Sequence, residues 1–74
     1  PDYLLGLSPW YEITDPTELK DAVLHLSRQN VRVAGQIIEA RINTLFADDI
    51  EQRNELLGYL ASLTPRPRGK KSNF

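Results

Sequence analysis

The sequence predicts a mainly α protein: a compact three-helix unit over residues 15–63, preceded by an aromatic N-terminal arm over 1–14 and followed by a disordered basic tail over 64–74. Three observations carry this reading. Apolar residues recur at helical spacing in three stretches. Two of those stretches open on N-capping signals. The connections between them are about two to four residues long, the lengths that join neighbouring packed helices.

The arm comes first. Tyr3, Leu4, Leu5, Leu7, Trp10, Tyr11 and Ile13 give it much apolar weight without a helical cap, and Ser8-Pro9 reads as a turn signal. From Trp10 to Thr14 the pattern alternates weakly, so a short extended piece is expected. Two roles fit this composition. Three short helices alone would be thinly packed, so the arm's inner side is expected to cover their core. Aromatic side chains also join large area to a polar tip and are enriched at binding hot spots. The outer side is therefore expected to anchor a partner, with Tyr3, Leu5, Trp10 and Tyr11 as the candidate partner-binding residues.

The first helix starts at Asp15-Pro16-Thr17-Glu18, read as N-cap, N1, N2 and N3. Asp15 can accept from the free N–H groups of the first turn, and proline is tolerated at N1 because its missing N–H would have no partner there. Leu19, Ala22, Val23 and Leu26 form one face, and the helix is expected to fade over Ser27–Asn30.

The second pattern runs from about Val31 to Phe46. Ala34, Ile38, Ile42 and Leu45 make the stripe, with Ile37 and Phe46 beside it and Gln36, Glu39 and Asn43 on the other side. Gly35 disfavours the helix by about 1 kcal/mol against Ala and leaves room for another helix to approach. Val31-Arg32-Val33 also satisfies a short strand, because it alternates and is β-branched. Pairing of residues 31–33 with 10–14 as a small sheet is thus an open alternative.

The third helix follows Ala47. Either Asp48 with Glu51 or Asp49 with Gln52 can form a capping box. Ile50, Leu56, Leu57, Leu60 and Leu63 supply its apolar face, Gly58 is a weak spot, and Thr64-Pro65 ends it.

Charge divides the chain unequally. The 74 residues carry nine Lys and Arg against ten Asp and Glu, a formal net charge of −1. Four of the nine cations, Arg66, Arg68, Lys70 and Lys71, stand within the tail, so the tail is near +4 and the rest near −5. Such a tail suits phosphates or an acidic protein surface, adding affinity without sequence specificity.

Composition removes several function classes. The chain has no Cys, hence no disulfide framework, thiolate metal site or Cys nucleophile. No apolar run approaches the roughly 20 residues of a membrane helix. No secretory signal is visible at the N-terminus, and a cytoplasmic location is expected. Position 1 is Pro rather than Met, so the chain is expected to be processed or cut from something longer.

Catalytic chemistry finds little support. His25 is the only imidazole, so it lacks the second ligand or base a metal or catalytic role would need, and a proton switch with a neighbouring carboxylate is its one functional option. Asp48 and Asp49 lack calcium-loop spacing and are explained by capping. Glu51 and Glu55 lie one turn apart, but paired carboxylates need a cleft to work as acid and base. The four glycines are scattered, so there is no phosphate-cradling loop, and no serine stands in a nucleophile motif. A domain of this size, with a margin of about 3–5 kcal/mol, also has little core to give up for an enclosed pocket of about 300 Å³. No enzyme activity, cofactor or metal is expected.

The expected function is therefore a small non-enzymatic regulatory or adaptor protein. It would bind a larger protein machine, possible examples including the transcription machinery, and modulate it, for instance as an inhibitor. The alternative is a nucleic-acid-binding regulator resembling a helix-turn-helix, using the second helix and the tail. Its contact residues would be Arg28, Arg32, Arg66, Arg68, Lys70 and Lys71, within a group that also includes Gln29, Asn30, Gln36 and Arg41. A second alternative is a homodimeric helical module, in which pairing relieves the small core.

Overall fold

The computed structural model describes residues 7–64. These form four helices: α1 (Ser8–Glu12), α2 (Pro16–Leu24), α3 (Arg28–Leu45) and α4 (Ile50–Leu63). No strand occurs among the described residues. The small sheet that the sequence leaves open between residues 10–14 and 31–33 is not formed: residues 10–12 belong to α1 and 31–33 to α3.

The helix that the sequence reading lacked is α1. Ser8-Pro9 starts it rather than marking a turn, because proline falls in its first turn, where a missing N–H is harmless. Leu7 at the N-cap provides no side-chain cap. Five residues are far too few to hold a helix by propensity. What holds α1 is burial of Trp10, which is 0% exposed.

The start of α2 matches its signals. Asp15 is the N-cap, and its carboxylate accepts from the Glu18 N–H at 3.2 Å. Leu19, Ala22 and Val23 are buried from this helix. It stops at Leu24, with His25 as C-cap, before the expected fading zone.

That zone is instead the start of α3. Ser27 is its N-cap, and its side-chain oxygen accepts from the Asn30 N–H at 3.1 Å. Asn30 Oδ1 accepts from the Ser27 N–H and hydroxyl, both at 2.9 Å. This is a capping box in which Asn takes the place of the usual Glu or Gln at N3. Helix is thereby set before Val31, and the β-branched valines follow it.

Gln52 closes the other cap. Of the two pairs the sequence allows at α4, Asp49 with Gln52 is made, as a side-chain cap rather than a reciprocal box: the Gln52 N–H donates to Asp49 Oδ1 and Nε2 to Oδ2, each at 3.1 Å, while the Asp49 N–H goes to the Phe46 carbonyl. Leu56 and Leu60 are buried, while Leu57 and Leu63 are half-buried. Ile50 departs from the expected apolar face. It is the first residue of α4, where the helix has only begun to turn toward the core, and it is 52% exposed.

The hub of the fold is α3, which packs against α1, α2 and α4, while α2 also packs against α4. One cluster forms the core. It joins Trp10 and Ile13 from the arm region to Leu19, Val23, Ile38, Ile42, Phe46 and Leu56 from the helices that follow. Polar ties join the elements around it, among them a bond from the Tyr59 hydroxyl on α4 to the Leu24 carbonyl of α2 at 3.4 Å. Arg41 on α3 donates from Nη2 to the Ile13 carbonyl, fixing the α1–α2 connection. Lys20 on α2 donates to Gln52 Oε1 on α4 at 2.7 Å.

Candidate functional site

An open groove of about 620 Å³ runs along the first half of α3. Leu7, at the start of α1, forms part of its wall, and Leu60 and Thr64 bring in the end of α4. This follows from topology: α3 and α4 are consecutive helices joined by a tight connection, so the C-terminal end of α4 lies beside the N-terminal half of α3.

The lining is mixed. Leu7 (44% exposed) and Val33 (48% exposed) put apolar surface into water, and half-buried Ile37 adds to it. Arg32, Gln36 and Glu39 are exposed and supply the polar groups. Arg32, Gly35, Gln36 and Glu39 stand three and four residues apart, so they share one line along α3. Gly35 lies in the middle of that line. A Cβ built on it would meet only Val31 Cγ1 of its own helix, at 3.3 Å. The expected close approach of another helix at Gly35 is thus not made by any helix described here.

A second hollow, about 220 Å³, lies between the start of α2 and α4 and is bounded by Pro16, Thr17, Lys20, Phe46 and Gln52. The Lys20–Gln52 hydrogen bond already satisfies its principal polar groups.

The structure separates the anticipated partner-binding residues. Trp10 lies in the core and offers no surface to a partner, so its role is to hold α1 in place. Its neighbour Tyr11 is 62% exposed and faces outward. Tyr3 and Leu5 lie outside the described residues. The partly exposed apolar groove lining that the sequence reading missed is Leu7, Val33 and Ile37. The signals available were a glycine well inside a helical pattern and a valine off the main apolar stripe.

The basic residues divide similarly. Arg28 and Arg32 are exposed one turn apart at the start of α3. Arg41 is half-buried and committed to the Ile13 carbonyl. Arg66, Arg68, Lys70 and Lys71 lie outside the described residues. Asn30, grouped with possible base-reading side chains, is 6% exposed and occupied by the α3 cap.

Electrostatics sets the groove apart from the rest of the surface. Residues 7–64 contain nine carboxylates, all exposed, and five Lys or Arg, of which Lys20, Arg41 and Arg53 are half-buried. Arg28 and Arg32 are therefore the only two exposed Lys or Arg side chains among the described residues. One ion pair occurs among these residues, between His25 and Asp21 at 3.9 Å, with both side chains mostly in solvent. His25 Nδ1 also lies 2.8 Å from the Asp21 carbonyl oxygen.

One carboxyl is shifted. Hydrogen bonds from the Gln52 side chain and then its backbone N–H hold Asp49 below the usual carboxylate range; nearby Lys20 adds to this, and partial desolvation opposes it. The cause is capping, and Asp49 faces no cleft. Glu51 and Glu55 are exposed on α4 outside both hollows. No group of three or more His, Cys, Asp or Glu side chains that could hold a metal ion occurs among the described residues. No helix among them is long and apolar enough to cross a membrane.

Comparison with protein-family models, curated proteins and solved structures found no match.

Proposed function

We propose that this chain is a small non-enzymatic regulator or adaptor that docks onto a larger protein. The observation that carries the reading is the groove. Exposed apolar surface from Leu7, just before α1, and from α3 meets the end of α4 in an open hollow. Its polar lining, one arginine, one glutamine, one glutamate and one threonine, suits orientation of a partner better than bond-breaking. Exposed Leu7 and Val33 with half-buried Ile37 line one groove beside polar side chains, the mixed make-up of a protein-docking surface. Transcription machinery is one kind of partner this architecture suits, and a cytoplasmic setting fits a chain without Cys.

A second reading, nucleic-acid binding, draws on Arg28 and Arg32, exposed one turn apart on α3. Against it stand nine exposed carboxylates on the same small body, which repel phosphates.

Capture from an extract of the source cell, with and without nuclease, tests the first reading against the second. The full chain is compared with Val33→Glu, whose fold is checked by circular dichroism. Docking through the groove predicts one discrete protein, captured with or without nuclease and lost in V33E. Capture abolished by nuclease and unaffected by V33E would overturn it in favour of nucleic acid.

A further inference from the structure

We draw no further inference here: the strongest candidate, the open groove along the first half of α3 between Leu7 and the end of α4, belongs to the site already described, and nothing in the structure shows what covers it.

Discussion

Replacing Trp10 by Ala removes the largest of the fully buried side chains and leaves a cavity against α3. Such a change is worth about 3–5 kcal/mol, comparable to the whole stability expected of a domain this small. Trp10→Ala is accordingly expected to lose most of its helical circular dichroism at 25 °C. Tyr11→Ala, one residue on and facing water, is expected to melt within a few degrees of the wild type. Residue type alone, large aromatic area with a polar tip, gives both aromatics one outward role in the sequence reading and does not say which side of the chain each one takes. On a short helix, adjacent residues point about 100° apart, and that angle divides core from surface. Asp49 supports a second residue-scale prediction. Its folded pKa lies below the ordinary 3.8, so its contribution is fully present above that value and is lost as pH falls through the lower folded value. Asp49→Ala should melt below the wild type at pH 7. The gap in melting temperature should close as pH drops below 3.8, and a gap that persisted undiminished at pH 2 would contradict the capping account.

At the scale of elements, legibility followed the chemistry of helix starts. Asp15 and Asp49 announce α2 and α4 because their partners stand at the expected spacing. Ser27 is a weaker signal because its reciprocal partner is Asn30 rather than Glu or Gln, so local pattern alone starts α3 three residues late and leaves Val31–Val33 open to a strand. Ser27→Ala removes one side of that box and should lower stability by about 1 kcal/mol, read as a shift in the urea midpoint at unchanged slope. α1 was illegible for a different reason: it has no capping side chain and only five residues, and it exists through a tertiary contact that a local pattern does not contain. Gly58 offers a check on α4. Nothing lies within 4 Å of where its Cβ would be, so Gly58→Ala should stabilise the protein by about 0.8–1 kcal/mol. A neutral or destabilising result would mean that this position is not an open, regular helix interior.

For the molecule as a whole, the net charge of −1 conceals how charge is placed. The described surface sets nine exposed carboxylates against Arg28 and Arg32, and Arg32 lines the apolar groove. The sequence made the acidic body and the helical class visible, because both depend on composition and short-range periodicity. It did not reveal the groove, because Leu7, Gly35 and Leu60 meet only once α1, α3 and α4 are packed. Partner contact is proposed at that meeting point, and site-specific photo-crosslinking is the measurement to make there. A benzophenone side chain is introduced at Val33, in the groove, or at Glu18, on exposed α2, and the full chain is irradiated in nuclease-treated extract of the source cell. The account predicts one discrete protein adduct from position 33 and none from position 18. Adducts from position 18 alone, or none from position 33, would contradict it.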